Sequence, residues 1–145
     1  MVKALLDTSV LVAAVLPEHP KHHQALHWLQ QIQTGEIQGF ISTHTMAELY
    51  SVLTGLRRTP RITPSTAQQL IEGDLRRFTK VVLTAEDYQD VIARLVDLNL
   101  PGGSIFDALI AQAGIKADVE VLLTLNPKDF NRLGEDIAIL LQVPM

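Results

Sequence analysis

The 145-residue chain contains no cysteine, and this absence excludes several kinds of site at once. Disulfides, zinc ribbons, iron–sulfur clusters and thiol nucleophiles all need the cysteine sulfur, and a chain without it suits a reducing cytoplasm. No apolar run is long enough for a membrane-spanning helix, because the longest covers residues 10–16 and about 20 residues are needed. Asp7 interrupts the apolar N-terminal stretch, which argues against a secretory signal. We therefore expect a soluble cytoplasmic protein.

Basic residues are also scarce. Sixteen acidic residues against twelve Lys and Arg give a formal net charge of −4, which argues against a protein that holds nucleic acid by bulk positive charge. Hydrophobic residues, in contrast, make up 47% of the chain, and at this length they can form one well-buried core. Since no linker or repeat interrupts the pattern, we expect a single domain over residues 1–145.

Short apolar segments alternate with longer segments of helical periodicity along the chain. The predicted strands are residues 2–6, 39–42, 80–83, 119–125 and 137–141. The predicted helices are residues 8–16, 20–34, 46–56, 64–78, 85–98, 104–116 and 127–133. Short, continuously apolar strands separated by helices are typical of a parallel sheet with helices on both faces. The predicted fold class is therefore α/β, with a mainly parallel central sheet.

Four carboxylates lie where predicted strands end or predicted helices begin. Asp7 ends the first strand, whereas Glu48, Asp107 and Asp129 are each predicted in the first turn of a helix. Because strand ends and the helix starts after them gather at one edge of a parallel sheet, we expect the four to converge. Two unit charges ~4 Å apart repel by on the order of 4 kcal/mol at an effective dielectric of about 20, so such a group needs a cation. Hard oxygen ligands favour Mg²⁺ or Mn²⁺ over zinc.

Helix capping is the alternative explanation for each of these acids taken alone. An acid three residues after a capping residue can bond back to the cap amide, and an acid in a first turn also interacts favourably with the helix dipole. Asp7 can cap the helix that follows it in the same way. The pairs with capping-box spacing are Thr45–Glu48, Ser104–Asp107 and Asn126–Asp129.

Three of the five histidines follow one another at four-residue intervals. His19, His23 and His27 would share one face of the second predicted helix, and this spacing can form a zinc site. The outer polar face of a helix also holds such residues readily, and no glutamate completes an H-E-x-x-H pattern. The zinc site is therefore the lesser of the two metal hypotheses.

Short motifs around the acids resemble those of a known family. The letters DTSV occupy residues 7–10, Glu48 opens a predicted helix, SIFDALIA occupies residues 104–111, and LLTLNPKDF occupies residues 122–130. In this order and spacing the chain resembles the PIN domain family and, in size, its toxin ribonucleases of VapC type. The resemblance extends over essentially the whole chain and implies a compact α/β/α sandwich.

The resemblance also implies a function. It implies a Mg²⁺- or Mn²⁺-dependent endoribonuclease, a hydrolase that cleaves RNA phosphodiester bonds with a metal-activated water. Asp7, Glu48 and Asp107 match the family's core metal-binding acids, and Ser9 and Thr124 match hydroxyls that support them. A small antitoxin protein and a second copy of the chain, in a homodimer, are the partners that the resemblance implies.

The fourth acid departs from the family's pattern. Family members often place an Asp two residues after Thr124, where this chain has Asn126, and Asp129 could serve instead. If neither residue does, a second metal ion is held weakly. The alternative hypothesis is therefore a catalytically weak or inactive PIN-like module for RNA binding or assembly.

The metal hypothesis also changes the meaning of the net charge. Sixteen acids less the four candidate ligands leaves twelve, which equals the number of Lys and Arg. The excess negative charge then becomes a receptacle for metal ions rather than a surface that repels RNA.

Overall fold

The alternating pattern produces five strands and eight helices. In the computed structural model, which describes residues 1–145, the strands are β1 (Lys3–Leu6), β2 (Gln38–Ser42), β3 (Thr79–Val81), β4 (Val121–Leu123) and β5 (Leu141–Gln142). The helices are α1 (Thr8–Val15), α2 (His22–Gln33), α3 (Thr43–Gly55), α4 (Pro64–Asp74), α5 (Ala85–Leu98), α6 (Ser104–Ala117), α7 (Pro127–Asn131) and α8 (Glu135–Ala138). None of these helices combines the length and the apolar character that crossing a bilayer requires.

All five strands are parallel and lie in the order β3-β2-β1-β4-β5. From the central strand β1 the chain first adds β2 and β3 on one side and then crosses to add β4 and β5 on the other. The strand order therefore reverses between β1 and β4. Ligands of open α/β sheets bind outside the carboxyl ends of the strands at such a switch point. The residues that follow β1 and β4 occupy this position.

Two hydrophobic cores lie on the two faces of the sheet. Successive side chains of a strand point to opposite faces, so Leu6 of β1 packs with helices α1–α4 and Leu5 packs with helices α5–α8. Both side chains are fully buried, as a central parallel strand requires. The arrangement is the predicted α/β/α sandwich with a parallel central sheet, and the fold prediction is confirmed.

Several of the predicted element bounds are wrong. Residues 137–140 of the predicted strand 137–141 are not strand, because Gly134 at φ 125° turns the chain into α8, and β5 comprises only Leu141–Gln142. A short apolar run alone does not distinguish a buried helical turn from a strand. Helix α4 ends at Asp74 instead of residue 78. Helix α3 begins three residues early, because the hydroxyl of Ser42 accepts a hydrogen bond from the His44 amide and caps it.

Candidate active site

Asp7 directly follows β1 and is held by hydroxyl groups from two segments. The Ser9 Oγ and the Thr124 Oγ1 each donate a hydrogen bond of 2.8 Å to the Asp7 Oδ2. The Asp7 amide donates to the Leu123 carbonyl at 2.9 Å, which fixes its backbone to β4. Its side chain makes no cap hydrogen bond to α1. The carboxylate is therefore positioned by the switch point of the sheet, and the capping explanation for it is wrong.

The Asp7 carboxylate has no basic partner, although it is only 4% exposed. Burial raises the pKa of Asp7, and the hydrogen bonds from Ser9 and Thr124 oppose this rise. The negative charge of Glu48 raises the pKa of Asp7 further. A buried carboxylate without a cation is unfavourable when ionised, so this position favours binding of a cation from solution.

Asp107 lies in the first turn of α6 and belongs to the same electrostatic group. Burial raises its pKa to about 6, and the charges of Asp7, Asp129 and Glu48 contribute to the rise in that order. The hydroxyl of Ser104 donates to the Pro101 carbonyl at 2.6 Å, and the helix has no side-chain cap. The predicted Ser104–Asp107 capping box is therefore absent, and repulsion from three other acids marks Asp107 as part of a converging set.

Glu48 lies in the second turn of α3, one turn later than predicted, because the helix begins at Thr43. The buried Thr45 Oγ1 has no hydrogen-bond partner, so the predicted Thr45–Glu48 capping box is also absent. The Glu48 Oε2 lies 3.8 Å from the His44 Nε2, and its side chain is 32% exposed. Glu48 is thus more accessible than Asp7 and faces open solvent on one side.

Asp7, Glu48 and Asp107 line one open cleft of about 570 Å³ at the switch point. Asn126 also lines this cleft, whereas Asp129 does not. Asp129 is exposed on α7, and its amide, not its carboxylate, bonds to the Asn126 carbonyl. The third predicted capping box is therefore absent as well. The structure brings three of the four acids together and leaves Asp129 at the edge, where its charge still reaches Asp107.

The cleft offers several oxygen ligands. Carboxylates, the Ser9 hydroxyl and the Asn126 amide are the donor types that Mg²⁺ and Mn²⁺ bind. As placed, no three His, Asp or Glu side chains are close enough together to coordinate one ion. Burial and the charges of the other acids raise the pKa of Asp107, and a cation would relieve this repulsion. Asp7, Glu48 and Asp107 are the residues that could hold it.

Comparison with known proteins shows the family of the chain. Residues 4–136 match the PIN domain family. The chain belongs to it. It is similar to ribonuclease VapC27 of Mycobacterium tuberculosis, with 29% identity over 117 residues that cover 80% of each chain. Ribonuclease VapC40 of the same species is 29% identical over 116 residues, which cover 80% of this chain and 81% of that one.

Solved structures share the fold of this PIN domain. The structure of VapBC2 from Rickettsia felis bound to a DNA fragment from their promoter superposes with a TM-score of 0.70 at 22% identity and covers 99% of both chains. Mycobacterium tuberculosis VapC20, described as a sarcin–ricin loop cleaving toxin, superposes with a TM-score of 0.63 at 17% identity and covers 82% of this chain and 86% of that one. The predicted family resemblance is confirmed.

The PIN domain cleft also contains two basic residues that the sequence analysis did not place there. His19 and Lys21 line it, in the turn between α1 and α2. The His19 Nδ1 accepts a hydrogen bond of 3.0 Å from the Lys21 amide, so the neutral ring carries its proton on Nε2 and can donate it. The sequence does contain a signal for this placement, because the prolines at 17 and 20 mark a turn around His19.

The same turn removes the geometric basis of the zinc hypothesis. Helix α2 begins at His22, so His19 lies outside the helix that carries His23 and His27. The four-residue spacing of the three histidines therefore does not place them on one helical face. The His22 ring bonds to the Ala13 carbonyl through Nδ1, which ties α2 to α1.

Proposed function

We propose that this PIN domain is a Mg²⁺- or Mn²⁺-dependent endoribonuclease and the toxin of a toxin–antitoxin pair. The observation that carries the proposal is the convergence of Asp7, which follows β1, with Glu48 of α3 and Asp107 of α6 on one cleft, where none of the three has a Lys or Arg ion-pair partner. The ribonuclease names of the relatives support RNA as the substrate class. The switch-point location is where a sheet of this order binds ligands.

The proposed roles of the acids follow from their surroundings. Asp7, which is buried, and Asp107, which is half-buried, would hold the ion, with Asp7 kept in place by Ser9 and Thr124. A divalent ion bound there would activate a water and offset the charge that develops on the phosphodiester. Glu48 is open to solvent on one side and would orient the attacking water by accepting its hydrogen bond.

Other cleft residues would contact the substrate around the acids. His19 Nε2 and the Lys21 ammonium are the donors that can reach phosphate oxygens in the cleft. Asn126 stands in the cleft wall, so its side-chain oxygen is the nearer candidate for a second-ion ligand, and Asp129 would act through its charge.

Cleavage of single-stranded RNA with added Mn²⁺, before and after chelation with EDTA, tests the proposal. We expect Asp107→Asn to abolish cleavage, whereas the exposed Asp97 on α5 offers a matched control, and Asp97→Asn should cleave at the wild-type rate. Equal cleavage by wild type and Asp107→Asn would remove Asp107 from the mechanism.

Thermal unfolding with increasing Mn²⁺ tests the metal site without activity. Binding to the folded state alone raises the melting temperature, and Asp7→Asn should remove that rise. A rise of the same size in Asp7→Asn would place the ion elsewhere.

A second candidate function is a catalytically weak or inactive PIN-like module for RNA binding or assembly. The observation that favours it is Asn126, a neutral residue in the cleft wall. On this hypothesis the wild type binds RNA without cutting it, and Asn126→Asp creates Mn²⁺-dependent cleavage. On the toxin hypothesis the wild type already cleaves, and Asn126→Asp only increases metal affinity.

We propose the partners on the same basis. Expression of the wild type alone should arrest growth, Asp107→Asn should be tolerated, and a short DNA-binding protein encoded beside the gene should relieve the arrest as the antitoxin. The pair would act in the cytoplasm, where its RNA substrate is. A homodimer is also part of the proposal, and sedimentation of the purified chain tests it. The exposed residues Ile92 and Val96, spaced by four along α5, form an apolar surface available for it.

A further inference from the structure

A second, smaller pocket adjoins the acidic cleft and shares Glu48 with it. It measures about 290 Å³ and is lined by His44, Ala47, Glu48, Ser51 and Phe106. The acidic cleft is lined by carboxylates and hydroxyls, whereas this pocket has aromatic rings on one wall. A substrate that crosses Glu48 therefore passes from a charged surface to an aromatic one.

The aromatic wall is a stacked pair of rings. The His44 and Phe106 rings are nearly parallel, with centroids 5.4 Å apart and planes inclined by 10°. The His44 side chain is only 19% exposed and supports the phenyl ring from the protein side. Phe106 itself is 50% exposed, so much of its ring surface is open to solvent. Such a supported but uncovered ring is ready to accept a further flat group.

Phe106 contributes nothing to either hydrophobic core. The residues that follow Asp107 on α6, Ala108 to Ala111, are buried in the core beside α5, and Phe106 is absent from both cores. It lies immediately before Asp107 on the same helix. The ring is therefore fixed relative to the candidate metal ligand by one rigid element, without being needed to fill the interior.

We propose that Phe106, supported by His44, is a stacking shelf for one unpaired nucleobase of the RNA, next to the phosphodiester in the acidic cleft. The inference rests on the proposed ribonuclease function and adds how the substrate is held. Every base has a flat π face, so an aromatic shelf accepts bases with little regard to sequence. A base can reach it only when it is not paired in a duplex, so the shelf selects single strands, loops and bulges.

Kinetics with a 5′-labelled, unstructured RNA oligonucleotide that spans the main cleaved bond tests the shelf. Phe106→Leu keeps the apolar volume and removes the ring, whereas Phe106→Tyr keeps the ring. We expect Phe106→Leu to raise KM roughly tenfold with little change in kcat, within the range measured for single base–aromatic stacks. Phe106→Tyr should behave like the wild type.

Tyr88→Leu is the matched control, because Tyr88 is an aromatic residue of similar exposure on α5, away from the cleft. It should leave KM and kcat unchanged. An equal rise of KM in Tyr88→Leu and Phe106→Leu would mean that loss of any exposed aromatic ring weakens RNA binding. The proposal that a base stacks on Phe106 would then be wrong. Thermal unfolding of each variant checks that the change has not unfolded the chain.

Substrates with a single abasic nucleotide separate stacking from a structural effect of the substitution. Removing the base that stacks should raise the wild-type KM roughly tenfold and leave the KM of Phe106→Leu where it already is. If abasic substitution at every position beside the cleaved bond affects both proteins equally, no base stacks on Phe106.

The outcomes for the shelf and for the proposed function are distinct. If the wild type cleaves through Asp107 and Phe106→Leu has the wild-type KM, only the shelf is wrong. If the wild type does not cleave RNA, or cleaves it independently of Asp107, both are wrong. If Phe106→Leu changes self-association in sedimentation and leaves KM unchanged, the ring belongs to a protein interface and the shelf is overturned.

Discussion

Asp87 and Asp7 are both buried aspartates beside the start of a helix, yet their electrostatic surroundings are opposite. The Asp87 Oδ2 accepts hydrogen bonds from the Lys116 ammonium at 2.6 Å and from the Thr84 amide at 2.8 Å, in a complete capping box. Lys116, followed by Thr84, lowers the pKa of Asp87 to about 2. Asp7 has no basic partner, and burial raises its pKa.

The difference separates a structural acid from a candidate metal ligand. The charge of Asp87 is compensated within the chain, so that residue needs nothing from solution. Asp7 lies with Glu48 and Asp107 in a cleft without a Lys or Arg partner, where burial and the charge of Glu48 raise the pKa of Asp7, and burial and the charges of Asp7 and Glu48 raise the pKa of Asp107. Burial alone therefore does not single out a candidate functional acid, whereas burial without an internal cation does.

The largest expected effect is on RNA cleavage. Asp7→Asn should lower the rate by at least about 100-fold, because a metal ligand contributes to several kcal/mol of transition-state stabilisation. Asp87→Asn, which changes the same group in a compensated position, should leave the rate unchanged well below the melting temperature. Rates measured with one RNA oligonucleotide in Mn²⁺ compare the two, and equal losses would abolish the distinction between the two acids.

The two substitutions should have opposite effects on the stability of the metal-free protein at pH 7. Asp87→Asn should lower the free energy of unfolding by about 2 kcal/mol, because it removes a charge-assisted hydrogen bond to Lys116 and weakens the cap. Asp7→Asn should raise it, because the amide oxygen can still accept from Ser9 and Thr124 while the unfavourable buried charge is lost. Urea denaturation in the presence of a chelator measures both. A stability loss in both variants would contradict the comparison.

The hydroxyl partners of the two acids should differ in the same way. Thr124→Val removes a hydrogen bond that orients Asp7 and should weaken Mn²⁺ binding by roughly tenfold or more. Thr84→Val should cost about 1 kcal/mol of stability through loss of the cap and leave Mn²⁺ affinity as it is. Calorimetric titration measures the Mn²⁺ affinity of both variants. Equal affinities in Thr124→Val and Thr84→Val would mean that Thr124 does not support the metal site.

The smallest effect is on the pH dependence of stability without metal. The pKa of Asp107 rises from 3.8 in the unfolded chain to about 6 in the folded one, so the folded state resists losing this proton. Stability should therefore fall as pH rises from about 4 to about 6, by on the order of 1 kcal/mol once solvent screening of this partly exposed group is allowed for. Asp107→Asn should make that decline smaller, and the part due to the raised pKa of Asp7 should stay.

The pKa of Asp87 changes in the opposite direction. Because it falls from 3.8 to about 2 on folding, its contribution to stability is present above about pH 4 and is lost as pH falls towards 2. Asp87→Asn should flatten the acid side of the stability profile and leave the range from pH 4 to 6 as in the wild type. Urea denaturation of Asp107→Asn and Asp87→Asn across pH 2–7 measures the free energy of unfolding of each variant. If both variants depart from the wild type in the same pH range, the opposite directions of the two pKa changes are contradicted.

Much of the fold and part of the site follow from local features of the sequence. The short apolar segments predict four of the five strands, and the motifs predict Asp7, Glu48 and Asp107 as a set. The start of α3 was mispredicted because Ser42 is both the last residue of β2 and the cap of the helix, and a propensity pattern does not show both roles. The end of the chain was mispredicted because a five-residue apolar run suits a buried helical turn as well as a strand.

The sequence by itself determined the layered α/β fold, the absence of thiol chemistry and the identity of the candidate acids, because periodicity and residue type are local properties. Only the tertiary structure decided which acids share a cleft, that Asn126 and not Asp129 stands in its wall, and that Lys116 reaches Asp87 from 29 residues away. It also decided that Phe106 stacks on His44 from another helix. These contacts depend on the strand order and on the packing of distant helices, and no local pattern encodes either.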